Sequence, residues 1–282
     1  MKIVIFTRTG FHHISFINRI QEECEVVCVI REAYPAVTGK AEKTTTQQNN
    51  AFLRAFQKKY SAGFADHPKL KDYLAAPCDA VMKKQDVTYL DVACGDINST
   101  QCAEMLKDLQ PDIIAVLGSS VIKEHIISIP STAMINLHSG LSPYYRGTWS
   151  YGWPIVNSEP GYIGATVHHV SHGIDSGNII CQTRPVLDND DDLNDIFLKV
   201  IAEGIELMVI SLKGIMKTGV SAAHEQPAHV GRLYTMKDLT AEAARQCMEH
   251  LENGIIRRYN AEKELRDSDI KLYGYVPPTR YP

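Results

Sequence analysis

An amide and an imidazole stand at the end of an apolar run, where a buried strand would ordinarily have stopped. The run AMINLH, residues 133–138, carries Asn136 and His138 two positions apart. Residues two apart on a strand share a face, so we expect both side chains to point into one cleft. Asn136 offers amide donors, and His138 offers a donor or a base. A turn-capping asparagine beside a hydrogen-bonded core histidine explains the pair alone equally well.

A carboxylate lies further along the chain, in the segment HHVSHGIDSGN, residues 168–178. Gly173 and Gly177 flank Asp175 in a loop between two predicted strands. Such a loop can bring backbone and carboxylate close to a ligand. Taken alone, Asp175 is better explained as a turn residue whose side chain bonds nearby backbone.

The surrounding sequence predicts the strands that would place these residues at one edge of a sheet. KIVIF (2–6) and EVVCVI (25–30) have the character of buried strands, and an amphipathic helix lies between them, an opening that favours a parallel sheet. Further strands are predicted at 87–92, 112–118, 133–138, 163–170 and 178–186, the last two forming a hairpin. Helices are predicted at 44–60, 67–77, 99–110, 192–217 and 240–252.

This order of elements predicts an α/β fold with an open, mostly parallel twisted sheet, flanking helices and a small C-terminal extension. Ligands of such sheets bind beyond the carboxyl ends of the strands, which is where Asn136 and His138 lie. The first turn, TRTGFHHISF, has one glycine and no GxGxxG, so a dinucleotide-binding site is discarded.

Composition narrows the class of protein. The 282 residues are 44% hydrophobic and carry a formal net charge of -4, which disfavours a nucleic-acid partner. The seven cysteines are irregularly spaced without a CxxC, so we expect reduced thiols in the cytoplasm rather than disulfides or a zinc ribbon. The N-terminal MKIVIF is too short for a signal peptide, and no apolar run predicts a membrane helix.

Together, NLHSGLSPYYRG (136–147) and GATVHHVSHGIDSGNII (164–180) resemble the paired signature of the folate-dependent formyltransferases. The resemblance covers roughly residues 1 to 215. It implies a catalytic domain at 1–217 with an extension at 218–282. It also implies 10-formyltetrahydrofolate as formyl donor, and a catalytic set formed by Asn136, His138 and Asp175.

The resemblance also implies where the formyl donor binds. The pterin ring would lie against VLGSSVIKEHI, at Gly118, Ser120, Val121 and Ile122, and the pocket would be closed by His172, Gly173 and Ile174. In the alternative interpretation, Val121 and Ile122 merely begin a core helix.

The acceptor is less constrained. The family usually has Ser-Leu-Leu-Pro where this chain has GLSP, Gly140 to Pro143, so the commonest members are a weak guide. The short, non-basic extension favours a small amine over initiator tRNA, and nucleotide-linked amino-sugar N-formyltransferases are the branch we expect. A methionyl-tRNA formyltransferase-like enzyme remains the alternative, and a homodimer is left open. Acceptor contacts are expected at Gly10, Phe11, His12, Tyr144, Tyr145 and Arg146.

Two rival functions remain. His138, His168, His169, His172 and Asp175 could supply a metal site of a hydrolase, but adjacent strand residues face opposite ways, so His168 and His169 cannot both join it. We therefore expect no metal. A non-catalytic folate-binding module is the second rival, and it would not need the three polar groups together.

Overall fold

Seven strands and their flanking helices form the body of the protein. A computed structural model describes residues 1–34, 46–62, 67–74, 76–220, 222–227 and 229–279. The strands are β1 (Ile3–Thr7), β2 (Val26–Glu32), β3 (Thr88–Val92), β4 (Ile113–Val116), β5 (Ala133–His138), β6 (Tyr145–Gly147), β7 (Ala165–His169), β8 (Ile179–Thr183) and β9 (Arg232–Tyr234). The helices are α1 (Phe11–Glu23), α2 (Thr46–Gln57), α3 (Leu70–Tyr73), α4 (Thr100–Leu109), α5 (Glu124–Ile127), α6 (Trp153–Val156), α7 (Leu193–Thr218), α8 (Ala241–Glu252), α9 (Ile255–Ala261) and α10 (Lys263–Asp267).

The main sheet has the order β3-β2-β1-β4-β5-β7-β8. The first five strands in this order pair in parallel, and β7 and β8 are antiparallel to their neighbours. The predicted α/β fold with a mostly parallel sheet is therefore confirmed, and so is the hairpin between the last two strands. A separate parallel pair joins β6 to β9, which the sequence did not predict.

Alternation along the strands divides the core into two layers. Ile3 and Ile5 of β1 pack on the side of α1 and α7, whereas Val4 and Phe6 pack on the side of α4 and α5. All four side chains are fully buried. A parallel strand covered on both faces has to be apolar throughout, which explains why these strands read as continuous hydrophobic runs.

The long helix α7 covers the strands that carry the polar residues. Its N-terminus is closed by a capping box, in which the Asp192 side chain accepts from the Asp195 N–H and the Asp195 side chain accepts in return from the Asp192 N–H. It ends at Gly219 in the left-handed conformation. Along its length it packs on β5, β7 and β8, so it covers one face of this part of the sheet.

The predicted elements match the observed ones to within a few residues where the pattern is long and apolar. The helix predicted at 44–60 appears as α2 and a following π-helical turn, Lys58–Ala62, while 44–45 lie outside the described residues. In the segment 67–77 only α3 forms, and residue 75 is likewise outside the described residues. The sequence missed α6, α9, α10, β6 and β9, and the boundary between residues 217 and 218 stays a prediction.

Within the described ranges, no helix combines the length and apolar character needed to cross a bilayer.

Two glycines of α7 provide a matched test of how closely this helix approaches the sheet. A Cβ added at Gly204 would lie 2.8 Å from Leu137 Cδ1 and 3.2 Å from Ala165 Cβ, whereas one added at Gly214 would meet nothing within 4 Å. We expect Gly214→Ala to raise the free energy of unfolding by about 1 kcal/mol, because alanine favours a helix. Gly204→Ala should lower it by about 1 kcal/mol despite the same propensity gain, because overpacking outweighs it. Urea unfolding of both variants measures the difference, and an equal gain at the two positions would show that the helix–sheet contact is loose.

Candidate active site

The pairing of β5 with β7 brings the first polar group to its partner. In this antiparallel ladder Asn136 lies opposite His168, and His138 lies opposite Thr166. The His168 Nδ1–H donates to the carbonyl of His169 at 2.8 Å, which leaves Nε2 facing Asn136. The Asn136 amide nitrogen lies 3.2 Å from that Nε2 and donates to it. The carboxamide of Asn136 is therefore oriented by a side chain from the neighbouring strand.

Asp175 joins this group from the loop between β7 and β8. Its backbone has a φ of 48°, a left-handed conformation that is uncommon outside glycine. Oδ2 accepts a hydrogen bond from the Gly147 N–H at 2.8 Å and lies 3.4 Å from His138 Nδ1. Oδ1 lies 3.4 Å from His168 Nε2. The structure thus brings together the three predicted catalytic side chains and adds a fourth, His168.

The hydrogen bonds of His138 determine where its protons lie. Its Nε2 is 2.9 Å from the carbonyl oxygen of Tyr145, which can only accept, so Nε2 carries a proton. In a neutral ring the Nδ1 lone pair would then face the Asp175 carboxylate, which is unfavourable. A proton between Nδ1 and Asp175 satisfies both contacts.

Burial and charge act on this pair in opposite directions. Burial lowers the pKa of His138, while the Asp175 carboxylate and the Tyr145 carbonyl oppose that effect. Burial alone would raise the pKa of Asp175, but the facing rings of His138 and His168 and the hydrogen bond from the Gly147 N–H hold that pKa well below its usual range. Asp175 is therefore the group whose charge is secured by the site.

Two predicted acceptor-side residues carry buried polar atoms without partners. Among the described residues, nothing accepts a hydrogen bond from Arg146 Nε, and nothing pairs with His12 Nδ1. Burial lowers the pKa of His12 to about 4, so its ring is neutral at physiological pH. The positive charge of Arg146 is close enough to lower the pKa of His138. No carboxylate of the described residues pairs with Arg146, and a guanidinium of this kind is suited to holding an anion.

The other predicted acceptor-side residues are engaged within the protein. The Tyr144 hydroxyl donates to the carbonyl of Lys271 at 2.9 Å, and the buried Tyr145 donates its hydroxyl to Glu159. Gly10 precedes α1 at the carboxyl end of β1, and Phe11 packs edge-on against Phe197.

The predicted donor loop after β4 is anchored by a residue that the sequence analysis did not single out. Glu32, at the end of β2, is completely buried and accepts from the Ser120 N–H at 2.7 Å and from the Ser120 hydroxyl at 2.6 Å. Arg8 pairs with Glu32 at 3.2 Å and donates to the carbonyl of Gly118. Both polar hydrogens of Ser120 are thus used internally. A glutamate at the end of an apolar strand was the sequence feature that could have pointed to this role.

The rest of the predicted donor pocket presents surface rather than core, with one exception. Val121 is 70% exposed and Ile174 is 46% exposed, whereas the Ile122 side chain is buried in the core layer of α4 and α5. His172 is exposed and lies 3.0 Å from Glu124. Gly173 lies in the same loop, beside Ser176.

Potential metal ligands group elsewhere. In the described part of the chain, the ligand atoms of His67, Asp192 and Asp195 lie within 4.8 Å of one another. Asp192 and Asp195 already form the capping box of α7, which accounts for their position. Of the residues weighed for a metal, His138 and His168 reach Asp175, while His172 pairs with Glu124.

Two cavities also lie away from Asp175 and His138. One of about 850 Å³ opens at the amino ends of β1 and β4, and one of about 600 Å³ opens between the loop at 189–192 and the turn that joins α8 to α9. Asp175 lies instead beside His138, at the carboxyl end of β5.

A sequence profile described as Formyl transferase matches residues 1–212, a span that includes every residue of the site. The chain belongs to the formyl transferase family. The resemblance stated from the two motifs is therefore confirmed.

This formyl transferase has both sequence relatives and similar solved structures. The methionyl-tRNA formyltransferase of Clostridium tetani is 29% identical over 121 residues, which is 43% of this chain and 39% of the relative. The chain thus spans about two fifths of the length of the curated relatives it matches. Among solved structures, the N-formyltransferase of Helicobacter canadensis has a TM-score of 0.54 at 17% identity, covering 87% of this chain and 79% of that one. The glycinamide ribonucleotide transformylase 1 of Symbiobacterium toebii has a TM-score of 0.51 at 16% identity, covering 80% and 94%. These structures share the fold.

The neighbouring histidines of β7 allow a test of how Asn136 is held. His168→Phe removes the acceptor of the Asn136 amide, and we expect it to lower kcat for formyl transfer about ten- to a hundredfold, because an unoriented donor stabilises an oxyanion poorly. His169→Phe is the matched control, since its ring does not contact the group. Single-turnover rates and the melting temperatures of both variants separate catalysis from folding. Equal losses in the two variants would remove His168 from the site.

Proposed function

We propose that this protein is an N-formyltransferase that moves a formyl group from 10-formyltetrahydrofolate to the primary amine of a small molecule, a nucleotide-linked amino sugar. The observation that carries the proposal is the convergence of Asn136, His138 and Asp175 at the carboxyl edge of the sheet. The cytoplasmic location, the homodimer and the division at residue 217 remain predictions within this proposal.

The chemistry follows from the hydrogen bonds of the site. The amine lone pair attacks the formyl carbon, and the carbonyl oxygen becomes an oxyanion. Asn136 keeps one amide N–H that His168 does not use, and such a donor contributes typically about 3 kcal/mol to the stabilisation of an oxyanion. The bond from the formyl carbon to the folate nitrogen then breaks, and the product is an N-formyl amine.

Proton movement belongs to the His138–Asp175 pair. The amine loses one proton as it becomes an amide, and the leaving folate nitrogen gains one. The Nε2 proton of His138 is held by the Tyr145 carbonyl, so the proton between Nδ1 and Asp175 is the one available for transfer. A positioned acid–base group of this kind contributes about a hundred- to ten-thousandfold.

Support for the two substrates comes from different sources. The Helicobacter canadensis relative was solved with folinic acid and dTDP-3-aminofucose, a folate and a nucleotide-linked amino sugar. In this chain Arg146 offers a phosphate its Nε–H, which has no partner among the described residues, and the net charge of -4 gives no general attraction for RNA.

An alternative acceptor is methionyl initiator tRNA. It is favoured by the sequence relatives, since the first matched ones are methionyl-tRNA formyltransferases. The matched segments cover under half of this chain.

A panel of amines tests the function directly. With 10-formyltetrahydrofolate present, we expect tetrahydrofolate release with nucleotide-linked amino sugars and none with methionyl initiator tRNA or glycinamide ribonucleotide. Asp175→Asn should keep the fold, by circular dichroism, and lower kcat at least about a hundredfold. Turnover with charged tRNA alone would show that the acceptor is initiator tRNA and not an amino sugar. Donor binding without turnover of any amine would identify a folate-binding module, and near-normal rates in Asp175→Asn would remove Asp175 from the mechanism.

A substitution of Arg146 tests whether this residue binds an anionic group of the acceptor. Arg146→Gln should raise KM for a nucleotide-linked acceptor about tenfold or more, because a charge-assisted bond to phosphate is lost, and should leave KM for the formyl donor unchanged. Arg232→Gln is the matched control, since Arg232 lies exposed on the paired strand β9. Parallel rises in both Michaelis constants would place Arg146 in a structural role.

A further inference from the structure

The C-terminal extension returns to the catalytic edge of the sheet after α7. We call residues 222–227 and 229–234 the strap. Its first part lies along the edge strand β8: His224 and Ile179 exchange both backbone hydrogen bonds, each 2.7 Å long. Two residues later the strap reaches the loop that carries Asp175.

Gln226 connects the strap to that loop. Its side-chain amide nitrogen donates to the carbonyl of Asp175 at 2.9 Å and to the carbonyl of Gly177 at 2.6 Å. Both hydrogens of the amide are therefore used on the backbone of the catalytic turn. These two hydrogen bonds, which we call the bracket, tie Gln226 to the residues on either side of Ser176.

The bracket acts where the backbone is under strain. Asp175 has its φ at 48°, a conformation that costs free energy and persists only when surrounding contacts enforce it. That conformation directs Oδ2 toward both His138 Nδ1 and the Gly147 N–H. Loss of the bracket would let the turn relax and move the carboxylate away from the imidazole.

The later part of the strap holds the other catalytic loop. The Arg232 N–H donates to the carbonyl of Tyr144 at 2.8 Å, and the Thr148 N–H donates to the carbonyl of Tyr234 at 2.9 Å. Gly231 has a φ of 77°, and a Cβ there would lie 1.9 Å from the Pro143 carbonyl oxygen, so only glycine allows this approach. One segment thus braces both the loop that holds the His138 ring and the loop that holds its carboxylate.

We propose that Gln226 is a positioning residue for Asp175 and that the strap makes the C-terminal extension part of the catalytic apparatus. The inference rests on the proposed formyl transfer for its kinetic consequence. It predicts that the bracket acts through the His138–Asp175 contact, so its effect should depend on that contact being present.

The kinetic test uses Gln226→Met, which keeps the length of the side chain and removes both N–H groups. We expect kcat to fall about ten- to a hundredfold, the loss that follows when a catalytic group is displaced by up to about 1 Å. Gln101→Met, at an exposed position on α4, is the matched control and should change kcat by less than about twofold. Gln226→Glu places carboxylate oxygens against the same carbonyls and should show a similar loss while preserving volume.

A double-variant cycle distinguishes positioning from general destabilisation. In an Asp175→Asn background, where the contact is already weakened, Gln226→Met should lower kcat by less than about twofold. The same factor in both backgrounds would overturn the proposal, as would wild-type kcat in both Gln226 variants. Melting temperatures of all variants confirm that the compared proteins are folded.

A second readout does not require turnover, so it stands even where the proposed acceptor is wrong. The ring of His138 faces Asp175, His168, the positive charge of Arg146 and the Tyr145 carbonyl. Because the Asp175 charge raises the pKa of His138, we expect its NMR titration to move to lower pH in Gln226→Met and to stay in place in Gln101→Met. The signal is assigned by its absence in His138→Gln. An unchanged titration in Gln226→Met would show that the bracket does not hold the pair.

Discussion

The antiparallel register between β5 and β7 determines which polar groups of this protein can meet. It sets Asn136 opposite His168 and His138 opposite Thr166. A slip of one residue would turn every side chain of one strand to the other face, and both contacts would be lost. The same register places the Thr166 hydroxyl where it donates to the carbonyl of Gly140 and accepts from the Ser142 N–H. One pairing therefore fixes the catalytic strand and the path of the loop that follows it.

Within that frame, a buried carboxylate is stable because its surroundings are arranged for its charge. Asp175 is faced by two imidazoles and one backbone N–H, and its own backbone is held by Gln226. A buried charge without such partners would shift its pKa and become neutral. The proposed proton transfer requires the reverse, a carboxylate that stays ionised beside a histidine. The strained φ of Asp175 is the cost of holding its carboxylate beside His138, and the bracket from the strap maintains that conformation.

Much of the fold was predictable because its strands are long apolar runs with clear breaks, and the face shared by Asn136 and His138 follows from strand geometry alone. The role of His168 was not predictable, because it depends on which strand lies beside β5. Nor were the contacts of Gln226 and Glu32, which join residues 51 and 88 positions apart. The strand β9 has three residues and forms only because β6 is present. The tyrosines at 144 and 145 suggested a ligand-binding surface, yet their hydroxyls bond within the protein.

The two sides of the site differ in how completely their polar groups are paired. On the donor side, Glu32 uses its oxygens on Ser120, Gly95 and Arg8, so that loop is set before any ligand arrives. On the acceptor side, Arg146 Nε and His12 Nδ1 have no partner among the described residues. A buried polar atom left unpaired costs about 1–3 kcal/mol, and a ligand that pairs with it recovers that free energy. A substrate lacking the matching groups recovers none of it. Under the proposed function, the unpaired groups beside β1 and β6 are therefore the ones that discriminate between amines, while the donor side, already paired, provides rigidity.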